Sequence, residues 1–162
     1  MSLMYELIEL DESWLEQMSQ VEQCAQISPW THVLIQSSLS SGARAWGLVN
    51  LKQTEPCLFG FILMSLVLDE AEILTFSIEP KNQRQGLGKT LLLSVINLLQ
   101  QAGVRSLFLE VRQTNTAAIA LYQQMGFSLI GKRKNYYRLK DIDQNTGQHP
   151  FEDAWVMKRV FR

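Results

Sequence analysis

Gln83-Arg84-Gln85-Gly86-Leu87-Gly88-Lys89 is the stretch that decides how this chain is read. An apolar run ends at Ile78 just before it, and a leucine-rich segment with helical spacing begins near Leu87. Strand, glycine-bearing loop and helix in that order gather several backbone N–H groups and a helix N-terminus around one point. Unpaired amides and the positive end of the helix dipole both favour anions, so such a point suits a diphosphate. Gly86 and Gly88 let the backbone approach the phosphates without side-chain interference.

Upstream of this loop, Tyr5 to Leu10 reads as a first strand, after which Asp11 can N-cap a helix with the apolar stripe Trp14, Met18, Val21 and Ala25. A short helix is expected from Pro29-Trp30-Thr31 through Gln36, followed by a Ser/Gly loop from Ser37 to Gly42. Ala45 to Leu51 and Leu58 to Leu68 are strand candidates separated by the breaker Glu55-Pro56. Asp69-Glu70 is the expected hairpin tip before a strand from Ala71 to Ile78.

Downstream, Leu91, Leu92, Val95, Leu98, Leu99 and Ala102 form a helical stripe that Gly103 terminates. Ser106 to Val111 is a strand. Thr114 or Asn115 caps a helix running to Met125, with Gly126 as its stop. Phe127 to Lys134 and Ala154 to Val160 are the last strands, and the polar segment from Leu139 to Glu152 reads as a loop or wide hairpin. Antiparallel hairpins, one central crossover and further strands describe a three-layer α/β or α+β domain rather than a doubly wound one.

Length and composition narrow the class. At 162 residues the chain reads as one domain spanning 1–162. A net charge of −1, from 15 basic and 16 acidic residues, supplies no global field for nucleic acid or membrane. Cys24 and Cys57 make no disulfide framework, and with His32 and His149 isolated no metal site is expected. The N-terminal residues lack the pattern of a signal peptide, and no run approaches the ~20 apolar residues of a membrane span. The expectation is a soluble, cytoplasmic monomer.

A second constellation is Asn115 to Phe127. Asn115 and Tyr122 are seven residues apart, nearly two helical turns, so they share a face with the small Ala118 between them. A ligand chain can lie along that face. Its plainer reading is a capping Asn and a core Tyr, as the glycine loop's plainer reading is turn chemistry alone. A rival overlaps the loop: Gly88-Lys89-Thr90 repeats the end of a nucleotide-binding P-loop, but Gln83 stands where that motif requires its first glycine. The nearest candidate for its magnesium-binding acid is Glu110, where such proteins use Asp.

Together these two constellations resemble the GCN5-related N-acetyltransferase (GNAT) family over nearly the whole chain. That resemblance implies a mixed, mostly antiparallel sheet of about seven strands flanked by about four helices. It implies that the loop Gln83, Arg84, Gln85, Gly86, Leu87, Gly88 and Lys89 binds the pyrophosphate of acetyl-CoA. The strand end Phe76, Ser77 and Ile78 would pair with pantetheine, and Asn115, Ala118 and Tyr122 would line the same co-substrate. Ser28-Pro29-Trp30-Thr31, Leu68-Asp69-Glu70-Ala71, Leu109-Glu110-Val111-Arg112, Ala118-Ile119-Ala120-Leu121-Tyr122 and Arg133-Lys134-Asn135-Tyr136-Tyr137 are similar to one branch, the ribosomal-protein-alanine N-acetyltransferases. The segment after Tyr137 departs from that branch.

Acetyl transfer from a thioester needs a neutral amine, a stabilised oxyanion and a proton for the leaving thiolate. A protein α-amine, with a pKa of ~7.7–8.0, is roughly a tenth to a fifth neutral at pH 7, whereas a lysine at ~10.4 is far less available. Alternation along Phe108-Leu109-Glu110-Val111-Arg112 puts Glu110 on one face with Phe108 and Arg112, where partial desolvation suits a general base. Resemblance points to the same residue as base and to Tyr122 as acid; the bland alternative for Glu110 is a solvated strand-end carboxylate. Tyr136 or Tyr137 would cover the substrate's terminal residue, and Glu70, Glu72 and Asp153 would favour a basic peptide tail. The basic run Lys132-Arg133-Lys134 reads as a solvated strand beside a peptide groove rather than an RNA-stacking face. The implied activity is acetylation of a protein N-terminus, foremost the terminal alanine of small-subunit ribosomal protein eighteen. Acetylation of a lysine or a small amine, or acyl-CoA binding without chemistry, are the rivals.

Overall fold

The computed structural model describes residues 4–139, 144–147 and 150–162. Their contacts gather into two compact units, one through Val104 and the other from Arg105 onward.

The first unit opens with β1 (Glu6–Leu10), α1 (Leu15–Ala25) and α2 (His32–Ser40). It continues with β2 (Arg44–Asn50), β3 (Cys57–Val67), β4 (Glu70–Ile78) and α3 (Leu87–Gln101). β1 to β4 form an antiparallel meander in chain order. One face of it buries Leu10, Ala45, Val49, Leu58, Phe61 and Leu63 against Leu15, Met18 and Val21 of α1 and Ile35 of α2. Asp11 does act as a cap, but of a short 3-10 turn, Glu12–Trp14, that leads into α1; its carboxylate accepts from the Ser13 N–H at 2.9 Å.

Two helices depart from the sequence reading. Ser37 to Ser40, expected in a loop, are the last turn of α2. Leu39 lies four residues after the buried Ile35 and packs on the same core, so burial of that face outweighs the weak helix propensity of the serines. In α3, Leu98 points outward and Ile96 takes a buried place in the stripe instead.

The hairpin tip is Leu68-Asp69 rather than Asp69-Glu70, because Val67 and Glu70 still pair. Leu68 stands at φ 56 with 98% of its surface exposed. A left-handed backbone disfavours an L side chain, and this one buries nothing in return. Leu68→Gly is therefore expected to raise stability by about 1 kcal/mol, read as a higher urea midpoint at unchanged slope. A lower midpoint would show that Leu68 makes a contact worth more than its backbone strain.

Another irregularity matters for the site. The β3–β4 register slips between Leu63, opposite Thr75, and Met64, opposite Ile73, so Leu74 is an extra residue. Beyond this bulge the alternation of β4 is reversed, and Thr75 and Ser77 turn toward α1.

The second unit comprises β5 (Ser106–Arg112), α4 (Thr116–Gln124), β6 (Ser128–Arg138) and β7 (Phe151–Val160), with β7 paired antiparallel to both β5 and β6. Leu107, Leu109, Val111, Ile119, Tyr122, Phe127, Ala154 and Met157 are buried. Gly126 ends α4 at φ 87, where Arg159 donates to the Met125 carbonyl. β6 runs past its expected end at Lys134, so Tyr136 and Tyr137 lie on a strand. What extends it is the partner strand: Tyr137 pairs with Glu152 and Arg138 with Phe151. The polar segment is thus a hairpin connection, closed by the Leu139 N–H on the Pro150 carbonyl at 2.8 Å. Its residues 140–143 and 148–149 lie outside the described residues. Among the described residues, seven strands and four α-helices, with the pairings of each unit antiparallel, make the mostly antiparallel α/β fold that the resemblance implied.

Candidate active site

In the first unit, the candidate anion cradle follows β4 directly. A 3-10 turn, Pro80–Asn82, leads to Gln83 and then to Arg84, a non-glycine residue at φ 60, before Gly86 caps α3 at φ 79. The Thr90 N–H is the first to bond back, to the Gly86 carbonyl at 3.0 Å. The helix geometry therefore leaves the N–H groups of Leu87, Gly88 and Lys89 without an intrahelical acceptor, and Gly86 brings no capping side chain. Leu87 buries its side chain and offers only its amide, while Arg84 and Lys89 are exposed beside the loop. These donors, aligned with the α3 dipole, are suited to an anion.

Gln83 and Ser77 turn out to have structural duties. Gln83 Nε2 donates to the Ile78 carbonyl at 2.9 Å, tying the loop to the strand it leaves. Ser77 is buried, and its hydroxyl donates to Glu22 at 2.7 Å. Sequence reasoning missed Glu22 altogether. This carboxylate is 0% exposed and also accepts from the Thr75 hydroxyl at 2.9 Å and the Trp30 N–H at 3.0 Å. One turn on, Gln26 Nε2 donates to the Phe76 carbonyl at 2.9 Å and to Ser77 Oγ at 2.8 Å. The signal was present: Glu22 follows Met18 by four residues on the apolar face of α1, a place where a carboxylate survives only with several donors.

The orientation of the strand end follows from its ladder. Glu79 N–H bonds the Phe59 carbonyl, which makes Phe61 and Ser77 a bonded pair and directs the amides of Phe76 and Ile78 away from β3. Glu70 does not join this group. It begins β4, eight residues and about 26 Å before Ile78, at the hairpin end of the strand.

In the second unit, Asn115 caps α4 through Oδ1, which accepts from the Ala118 N–H at 3.3 Å. Tyr122 is buried on the same helix, its ring 5.7 Å from that of Phe127. Burial, reinforced by the neighbouring Tyr137, pushes the Tyr122 phenol above its ordinary pKa. It stays protonated at neutral pH, as a proton donor must.

Glu110, on β5, has a partner that the sequence did not announce: Arg133 Nε lies 3.1 Å from Glu110 Oε1. The same guanidinium sits 5.1 Å from the Tyr136 ring. Tyr136 and Tyr137 meet edge to face at 5.0 Å, although neighbours on a regular strand point to opposite faces. A wide bulge explains this. Four steps of β6, Arg133 to Tyr137, oppose two of β7, and Asn135 takes φ 53 with its N–H on Asp153 Oδ1 at 2.9 Å. Arg112 lies 4.2 Å from the Tyr137 ring and pairs with Glu152 at 2.8 Å, and Thr114 donates to the other Glu152 oxygen at 2.6 Å. Burial, followed by the nearby Glu110, Tyr136 and Glu152, pushes the Tyr137 phenol up to about 12 against the opposing pull of Arg112.

That Arg112–Glu152 pair carries a pH dependence. Burial alone would raise the Glu152 carboxyl, but the Thr114 hydroxyl and the Arg112 guanidinium outweigh it and hold the group below the ordinary 4.5. The pair's stabilisation is complete above the unfolded value and is lost as pH falls through the lower folded one. Acid titration followed by tryptophan fluorescence is expected to show destabilisation beginning below about pH 4.5, and Glu152→Gln to remove part of that dependence. Equal acid sensitivity in both proteins would assign the effect elsewhere.

The family model described as the acetyltransferase (GNAT) family matches residues 4–127. This chain belongs to the GNAT family. The ribosomal protein bS18-alanine N-acetyltransferase of Haemophilus ducreyi is 40% identical to the GNAT chain over 123 residues, 75% of this chain and 81% of that protein. The crystal structure of the ribosomal-protein-S18-alanine N-acetyltransferase from Escherichia coli superposes with a TM-score of 0.86 at 33% identity, covering 97% of this chain and 94% of that one. Arabidopsis thaliana NAA60, solved with acetyl-CoA, shares the fold at a TM-score of 0.80 and 20% identity, covering 98% of this chain and 99% of its own. Membership makes the GNAT chain an acyltransferase by family and disposes of the P-loop alternative. No helix among its described residues is long and apolar enough to cross a membrane, and no group of three His, Cys, Asp or Glu among them could hold a metal ion.

Proposed function

We propose that this chain transfers the acetyl group of acetyl-CoA to a protein N-terminal α-amine, with the terminal alanine of ribosomal protein bS18 as its leading substrate. The observation that carries this reading is the identity of about 40% to bS18-alanine N-acetyltransferases across three quarters of the chain. A ribosomal substrate makes the cytoplasm the site of reaction.

The amides of Leu87, Gly88 and Lys89, with Arg84 and Lys89 nearby, would hold the diphosphate of acetyl-CoA. The amides of Phe76 and Ile78 would pair with its pantetheine arm, and Asn115 and Ala118 would line it. Glu110 would accept, directly or through water, the proton that the α-amine loses as its nitrogen bonds the thioester carbon. As that tetrahedral intermediate collapses and the C–S bond breaks, Tyr122 would donate its phenolic proton to the departing CoA sulfur. Tyr136 and Tyr137, fixed by two arginines, would cover the first residue of the acceptor.

The test is release of free CoA with a synthetic Ala-initiated peptide, coupled to mass spectrometry of the product. One CoA released per acetyl group on the peptide N-terminus is the expected result. Acetylation confined to a lysine would favour the rival acceptor, and no CoA release with either amine would reject the reading.

A further inference from the structure

Within the basic run Lys132-Arg133-Lys134, Arg133 does more than steady Tyr136, because it also touches the candidate base. Arg133 Nε is 3.1 Å from Glu110 Oε1, with Glu110 19% and Arg133 55% exposed. The guanidinium is not a loose surface charge. It lies against Tyr136, whose ring abuts Tyr137, and the bulge at Asn135 that presents both rings is anchored on Asp153. On the same side, Arg112 lies against Tyr137 and pairs with Glu152. Each of these two carboxylates is therefore already matched by its own guanidinium.

Resting on the reading that Glu110 is the base of an α-amine acetyltransferase, we propose that Arg133 is a positioning residue that selects for amines neutral near pH 7. The discrimination is electrostatic. An unmatched carboxylate would welcome an ammonium ion and could take its proton within the site. A carboxylate held by a guanidinium offers little attraction to a second cation, and the guanidinium repels it. A neutral amine meets neither penalty. An α-amine is roughly a tenth to a fifth neutral at pH 7, whereas a lysine side chain is neutral in only about one molecule in 2,500. Arg133 closes the ammonium route, on which lysine depends and an N-terminus does not.

The experiment compares kcat/KM at pH 7 for an Ala-initiated peptide without lysine and for an N-terminally blocked peptide with one lysine, matched in net charge. Wild type, Arg133→Gln and Arg133→Lys are measured, with thermal unfolding as the check on folding. Arg133→Gln is expected to lower the α-to-ε preference about fivefold or more, through a gain on the lysine peptide, while Arg133→Lys keeps most of it. High salt is expected to lower the wild-type preference in the same direction, which needs no variant. A preference unchanged in Arg133→Gln, or lost equally in Arg133→Lys, overturns the role of this charge and leaves the proposed function standing. A wild-type enzyme that favours the lysine peptide overturns the α-amine reading itself, and the role of Arg133 with it.

Discussion

Replacing Tyr122 with phenylalanine is expected to cut kcat for an Ala-initiated peptide by about a hundredfold or more, while acetyl-CoA binds with little change. The variant removes one oxygen and keeps the ring that packs against Phe127 at the centre of the second unit. Loss of a single hydroxyl costs folding only about 1 kcal/mol, so a collapse in turnover would not be a collapse of the fold. A phenol is protonated at neutral pH and burial raises this one further, so a lost proton donor predicts a kcat defect across the neutral range rather than a shift of its optimum. Isothermal titration with acetyl-CoA and steady-state rates on the same preparation separate the two quantities. Turnover unchanged in Tyr122→Phe would remove this residue from the chemistry and leave it a core tyrosine.

Glu22→Ala is expected to be the most destabilising single change considered, at about 3–5 kcal/mol. Truncation strands three donors that now converge on one carboxylate, the hydroxyls of Thr75 and Ser77 and the N–H of Trp30, in a place without solvent. Each buried donor left unmatched costs about 1–3 kcal/mol, and the lost side chain adds a cavity. Glu22→Gln keeps the volume but turns an amide donor toward donors, so an intermediate loss is expected. Urea midpoints give both values. A loss below about 0.5 kcal/mol in Glu22→Ala would mean that water replaces the carboxylate at little cost. Where the alanine variant fails to fold, the glutamine variant carries the measurement. Because Gln26 and Ser77 link this carboxylate to the β4 end, weaker acetyl-CoA binding in Glu22→Gln would also follow from the proposed function.

The elements with strong local signals were legible. Gly86, Gly103 and Gly126 stand where positive φ values of 79, 83 and 87 are needed; the first two bound α3, which its apolar spacing announced, and the third ends α4, which its cap and glycine stop announced. Asn115 is the cap, one of the two that the sequence offered with Thr114, since capping depends on residues three apart. Reading failed where distant parts decided the outcome. The serines of α2 are helical because Leu39 finds the core, and β6 is long because β7 pairs with it.

Within the candidate site, the division falls along the same line. Family membership followed from the sequence by resemblance, and the candidates proposed for anion binding, proton acceptance and proton donation were named there too, because local spacing on a strand or helix sets which residues share a face. What those residues touch came from tertiary structure alone. The bulge at Leu74 turns Thr75 and Ser77 onto Glu22, and the bulge at Asn135 sets Tyr136 beside Tyr137. Arg133 reaches Glu110 from another strand, 23 positions along the chain. Register slips and long-range ion pairs depend on how separate strands are brought together, and no local pattern encodes that. Periodicity named the candidates, and packing chose their partners.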